Sequence, residues 1–220
     1  MHVMSETTVD RSLPLRERKK LRTRRALAEG ALRLFAEQGF DATTIDELAD
    51  EAEVSKTTFF RFFPAKEAAG IEAEAELWSA YLAALADRNF SGSVLAELQN
   101  AMIATVSGLD GGWDERYVAT RRLIAAEPAL FQYVEWYRAT VKSQVADCLA
   151  GKLRLKPDDL RLYVLAELVV AALSVSGRPW VRNGGRGGRQ ALIERFDDAI
   201  AAIPSSLELA GSRSDERRRE

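Results

Sequence analysis

Two helix starts crowded between residues 44 and 64 constrain this chain more than any other feature. Thr44, with Glu47 three residues later, has the form of a capping box, in which hydroxyl and carboxylate satisfy each other's orphan backbone N–H groups. Ile45, Leu48, Ala49 and Ala52 then recur at i, i+3, i+4 and i+7, so one stripe of a short helix is apolar. Ser55 supplies a second N-cap, for a helix over 56–63 that Pro64 stops. Upstream, Leu27, Ala31, Leu34 and Phe35 form the stripe of a longer helix, which Gly39 ends while Phe40 folds back onto the same face. A long helix followed by two short ones across a tight turn is the layout of a helix-turn-helix module, and it points to double-stranded DNA as the partner.

The remainder reads as helix almost throughout. Segments are predicted at 66–87, 93–107, 113–127, 128–149, 157–176 and 189–203, with breaks at 89–92, 108–112, Pro128, Gly151 and the 184–188 glycine run. No alternation of β-branched residues calls for a sheet. The predicted fold class is all-α, an N-terminal three-helix helix-turn-helix domain followed by a C-terminal helical bundle. The expected divisions are an arm at 1–15, the DNA-binding domain at 16–65, a ligand-binding and dimerisation domain at 66–204, and a polar tail at 205–220.

Composition removes several alternatives. With one cysteine, Cys148, and one histidine, His2, the chain cannot form an internal disulfide or assemble the usual ligand set of a structural zinc site. A histidine general base is equally remote, so neither an enzyme nor a bound cofactor or metal is expected. Net charge is only −2, so a DNA footprint has to be local. The dense run Arg16, Arg18, Lys19, Lys20, Arg22, Arg24 and Arg25 provides one. The longest apolar stretch, 162–175, contains Glu167 and falls short of the roughly 20 residues of a spanning helix. No signal peptide is visible, and the cytoplasm is the expected location.

Helical periodicity divides the third helix into two faces. Phe59 and Phe63, four apart, turn toward the module core, while Lys56, Thr57, Phe60 and Arg61 point the other way. That outward face has the chemistry of major-groove readout. Arg61 can fork onto guanine O6 and N7, and Phe60 can pack on a thymine methyl or a sugar. The starts of the second, third and fourth helices, at Thr44, Ser55 and Lys66, offer N–H groups to phosphates. Arg22 and Arg25 of the basic run add counterion release.

The stretch Gly39-Phe40-Asp41-Ala42-Thr43-Thr44-Ile45-Asp46-Glu47-Leu48-Ala49, followed by Val54-Ser55-Lys56-Thr57-Thr58-Phe59-Phe60-Arg61-Phe62-Phe63-Pro64-Ala65-Lys66-Glu67, resembles the TetR family of one-component regulators. The resemblance spans about Lys20 to Glu67. It implies an all-α homodimeric repressor, with a variable C-terminal domain that binds a small ligand and dimerises through its last two long helices. By position it assigns DNA contact to Thr44, Lys56, Thr57, Thr58, Phe60, Arg61 and Lys66. Three positions depart from the family pattern. Glu53 stands where the turn usually has Gly, Thr57 where the third helix often has Gly, and Phe60 where a phosphate-binding Tyr is usual.

For the C-terminal bundle the expectations are broader. Trp78, Tyr81, Trp113, Tyr117, Arg121 and Tyr137 are candidate ligand contacts, for a small molecule that is apolar or aromatic. The 157–176 helix is apolar on two faces, Leu160/Val164/Leu168/Ala171/Ala172/Val175 and Leu165/Val169/Leu173, which calls for burial on two sides. One face is expected to meet a partner subunit together with Leu192, Phe196, Ala199 and Ile203. The competing class is a nonspecific, architectural DNA-binding protein, which would ignore sequence and release DNA with salt alone.

Overall fold

The computed structural model describes residues 14–209. Within them lie ten helices and no strand: α1 Leu15–Gln38, α2 Ile45–Glu51, α3 Lys56–Phe62, α4 Lys66–Gly70, α5 Glu72–Asp87, α6 Val94–Gly108, α7 Trp113–Ala126, α8 Pro128–Leu153, α9 Leu160–Arg182 and α10 Gly188–Ser206. The fold is all-α, as the periodicity predicts. Most of the expected arm (1–15) and tail (205–220) lies outside the described residues.

Two apolar cores form. The smaller joins Leu27, Ala31, Phe35, Leu48, Phe59 and Phe63 of the first three helices and α3 cap to Ile124 of α7 and to Leu130 and Val134 of α8. The helix-turn-helix module therefore packs directly on the bundle. Gly70 marks the closest approach. A Cβ there would lie 3.1 Å from both Phe35 and Leu130, so a larger side chain would push α1 and α8 apart. The larger core is built from α5 to α10 around Trp78, Tyr81, Trp113, Tyr117 and Trp180.

Helix boundaries follow the caps. Thr44 Oγ1 accepts from Glu47 N–H at 3.2 Å, and the Glu47 carboxylate accepts from Thr44 N–H at 2.7 Å, completing the reciprocal box. Those bonds from Thr44 hold the Glu47 pKa below its ordinary value. Ser55 Oγ accepts from Thr58 N–H at 3.1 Å.

Four boundaries differ from expectation. The helix predicted over 66–87 breaks at Ile71, which serves as C-cap of α4 and N-cap of α5. α8 runs past Gly151 and ends at Arg154, in the left-handed region at φ 54°. α9 continues beyond Ser176 through Pro179 to Arg182. The burial of Trp180 and Val181 and the bond from Trp180 Nε1 to Gly188 C=O (2.9 Å) hold that extra turn. α10 runs past the predicted end at 203 to Ser206, with Pro204 inside its last turn.

α9 is long and apolar enough to cross a membrane by length and composition alone. Here its Leu162, Ala166, Val169 and Leu173 stripe is buried in the larger core. Leu160, Val164 and Val175 are more than half exposed. Leu192 and Phe196 of α10, expected to face a partner, are buried in the subunit's own core. Helical period alone cannot say which of two apolar faces a neighbouring helix will take, and here α9 takes α10's.

Glu53 in the α2–α3 turn adopts φ 53°. A Cβ in that region crowds the following carbonyl and costs about 1 kcal/mol, a cost glycine avoids. Glu53→Gly should therefore raise the stability of the protein by about 0.5–1 kcal/mol. Urea unfolding at fixed protomer concentration measures it, and a loss of stability would show that the carboxylate makes a compensating contact.

Candidate nucleic-acid interface and ligand cleft

α3 presents the two faces that its sequence implies. Phe59 and Phe63 are at most 1% exposed, while Phe60 is 47% exposed and meets Phe59 edge-on. Lys56, Thr57 and Arg61 are exposed and Thr58 is half-buried. Arg61 makes no ion pair among the described residues, and its guanidinium leans over Phe62 at 5.5 Å. Its fork is thus available to an acceptor. Lys56 Nζ lies 2.9 Å from Asp46 Oδ2, both exposed. An exposed pair of this kind is worth little, so a phosphate can displace Asp46. Of the other α2 acids, Glu51 is paired with Arg33 and Glu47 is held by the cap.

The remaining DNA candidates separate into free and occupied cations. Arg22 is exposed. Lys66 donates to the carbonyls of Phe40 (2.6 Å) and Thr43 (3.0 Å) and sits 4.2 Å over the Phe40 ring. Two of its three N–H groups thus tie α4 to the α1–α2 loop. Arg25 is bound to Asp110 (2.8 Å) and Glu76 (3.4 Å). Arg24 forks onto Glu72, donates to the Phe62 carbonyl at 3.0 Å and lies 4.6 Å over Phe63. From sequence Arg24 and Arg25 look like part of one basic run. The carboxylates that claim them, Glu72, Glu76 and Asp110, are distant in the chain, so only the fold reveals the pairing.

Burial would raise the Asp110 pKa, but the hydrogen bond and charge of Arg116 and the charge of Arg25 outweigh it and bring it from 3.8 to about 2. A depressed carboxylate contributes stability above its unfolded pKa and loses it as pH falls through the folded one. Asp110→Asn should therefore lower the melting temperature at pH 7, with the deficit shrinking as pH falls from about 4 toward 2. A deficit independent of pH would assign the loss to packing instead. Glu72 shifts the opposite way, since burial raises its pKa against the pull of Arg24.

Among the ligand candidates, Trp78, Tyr81, Trp113 and Tyr117 are at most 1% exposed. Their polar atoms are satisfied internally: Trp78 Nε1 by Glu74, Tyr81 OH by the Leu98 carbonyl, Trp113 Nε1 by the Ala73 carbonyl and Tyr117 OH by Arg121. They are packed core. Tyr137 is half-buried and donates to the Ala75 carbonyl at 3.4 Å.

Arg121 alone of the six lines an open cleft of about 750 Å³ between α7, α8 and α9. Ile124, Phe131, Val170 and Val181 supply apolar wall, Arg138, Lys142, Arg178 and Arg182 join Arg121 as cations, and Glu135 and Glu167 are the two lining carboxylates. Sequence reasoning missed these four cations. Arg178 and Arg182 do stand one helical turn apart, but nothing local says that α7 and α8 lie opposite them.

Beneath the cleft, Glu74 of α5 is fully buried. Arg138 donates to it through Nε (2.5 Å) and Nη2 (2.9 Å), and Arg121 Nη1 lies 3.7 Å away. Burial works against the Arg138 charge, and the Glu74 carboxylate more than offsets it, so the guanidinium is held protonated more firmly than a free one.

Residues 27–68 match the family model described as bacterial regulatory proteins, tetR family. Residues 92–206, more than half of the chain, match the model described as the MftR C-terminal domain. The HTH-type transcriptional regulator TcmR of Streptomyces glaucescens is 29% identical over 218 residues, spanning 92% of this chain and 94% of that one. Among solved structures, Salmonella enterica GusR superposes with a TM-score of 0.51 at 17% identity, covering 86% of this chain and 97% of its own. The fatty acid degradation regulator FadR of Bacillus halodurans gives 0.50 at 13% identity, covering 82% and 96%. These two share the fold. The relatives are regulators and not enzymes, which agrees with a chain lacking catalytic constellations in its sequence. This chain is a DNA-binding transcriptional regulator of the TetR family.

Proposed function

We propose that the protein is a cytoplasmic repressor that binds a palindromic operator as a homodimer and leaves it when a small molecule occupies the C-terminal domain. The observation that carries the operator reading is the outward face of α3, where Lys56, Thr57, Phe60 and Arg61 stand exposed on a helix whose opposite face is locked into the core by Phe59. Such a helix is rigid enough to read base edges, and Arg61 makes no ion pair among the described residues that would compete with a base. Thr44, Ser55, Thr58 and Arg22 position the backbone of the duplex around it. Lys66 and Arg25 hold the module in shape.

The exposed Leu160, Val164 and Val175 of α9 form the face for the second copy. A two-fold dimer sets two recognition helices on successive major grooves, about 34–36 Å apart or somewhat more, and requires a palindrome. The test is selection of bound duplexes from a random pool at fixed, near-physiological salt. A two-fold symmetric consensus is expected. A pool that stays random while binding decays with salt would replace this reading with nonspecific DNA compaction.

A further inference from the structure

We propose that the cleft between α7, α8 and α9 binds an amphipathic organic anion, a carboxylate or phosphate head on an apolar body, and that Arg121 and Arg138 couple the head to the DNA-binding module through Glu74. The proposal rests on the ligand-released reading above and names the ligand's chemistry and the residues that sense it.

Charge imbalance is the first observation. Two guanidiniums, Arg121 and Arg138, share one buried carboxylate, Glu74, and Arg138 also donates to Glu135 of the cleft wall at 2.8 Å. Arg121 is held only loosely by it, at 3.7 Å, although its side chain is just 11% exposed. Across the cleft, Arg178 and Arg182 make no ion pair among the described residues. Lys142 is paired with Glu167 at 2.8 Å. A mostly buried guanidinium with an incomplete partner set, facing two unpaired ones across an open cleft in which cations outnumber carboxylates, is a site for an anion. The apolar wall of Ile124, Phe131, Val170 and Val181 then selects anions carrying an apolar body over inorganic ones. An apolar or aromatic body thus remains part of the ligand, and the structure adds the charged head.

Position is the second observation. Ile124 lines the cleft and also packs in the core of the helix-turn-helix module. Glu74 lies on the first turn of α5 between two residues that grip α1. Glu72 is forked by Arg24, and Glu76 is reached by Arg25. An anion that draws Arg121 and Arg138 toward the cleft weakens their hold on Glu74. The turn of α5 that anchors α1 then loses one of its attachments. Shape change at the head-group site and at the module are thereby properties of the same helical turn.

Calorimetry of the full-length dimer with decanoate, decyl phosphate and the neutral decanol tests the site, and a labelled operator duplex reports release separately. Decanoate or decyl phosphate should bind at least about tenfold more tightly than decanol, and whichever binds better identifies the head. The Arg178→Ala/Arg182→Ala double variant changes only exposed, unpaired side chains, so it should fold. It should lose about tenfold in affinity for the anion and leave decanol binding unchanged. Glu74→Gln, if it folds, should bind the anion more tightly, because the competing carboxylate is gone.

Equal binding of decanol and the anions, no binding of either anion, or an unaltered double variant would overturn the proposal. Release of the operator by decanol alone would overturn the anion site while leaving ligand-released repression standing. Anion binding that depends on Arg178 and Arg182 but leaves the operator bound would support the site and refute release.

Discussion

Arg138→Leu should cost about 3–5 kcal/mol of stability, the largest loss expected from any single polar substitution in the bundle. Glu74 has no exposed surface and Arg138 is 8% exposed. Removing Arg138 takes away two charge-assisted hydrogen bonds, leaving the carboxylate with the Trp78 indole N–H at 3.3 Å and the more distant Arg121. Water cannot reach it to compensate. The cost comes chiefly from the carboxylate left behind, and much less from the net worth of the pair. Glu74→Leu/Arg138→Leu should accordingly recover most of the loss, since apolar groups of similar volume commonly replace a buried pair at little penalty. Urea unfolding at fixed protomer concentration gives both values. A single variant within about 1 kcal/mol of the parent would mean that water reaches Glu74 in the folded state.

Phe59→Ala and Phe60→Ala should behave as opposites although the residues are adjacent. Phe59 is fully buried against Phe63 at a centroid distance of 5.8 Å, so its truncation leaves a cavity in the smaller core and should cost about 3–5 kcal/mol. Phe60 is 47% exposed and contributes one edge-on contact to Phe59, so its truncation should cost no more than about 1 kcal/mol. Operator affinity should fall for Phe60→Ala in a protein that still melts normally. If Phe60→Ala instead destabilised the module as much as Phe59→Ala, the outward face of α3 would be a packing face and not a reading face.

The contrast between those two phenylalanines was legible before any coordinates, because a helix of period 3.6 must put positions 59 and 63 together and 60 and 61 elsewhere. The caps at Thr44 and Ser55 were legible too, since they depend on neighbours within a few residues, while the left-handed Glu53 was pointed to only by the resemblance, which has Gly at that turn. What the sequence left open depends on contacts distant in the chain. Arg24, Arg25 and Lys66 read as free cations until Glu72, Asp110 and the Phe40 carbonyl are brought to them.

The aromatic residues of the bundle are compatible in sequence with either pocket lining or core, and the fold uses Trp78, Tyr81, Trp113 and Tyr117 to seal the core. The open cleft is instead walled by arginines from α7, α8 and α9, whose convergence no local pattern encodes. Proline rules also yielded to packing. Pro179 sits inside α9 because Trp180 and Val181 gain more by burial than the helix loses at one missing N–H.

The central claim is that α3 reads sequence through Arg61. Its most direct test compares the parent and Arg61→Ala on the selected operator and on duplexes carrying each single base-pair change, all at one salt concentration. Arg61→Ala should lose roughly 5- to 150-fold on the operator, the equivalent of about 1–3 kcal/mol. Its discrimination should flatten at one G·C position in each half-site and stay intact elsewhere. Unchanged affinity, or an equal loss on every duplex including unrelated DNA, would contradict base readout by Arg61 and leave it a phosphate contact at most.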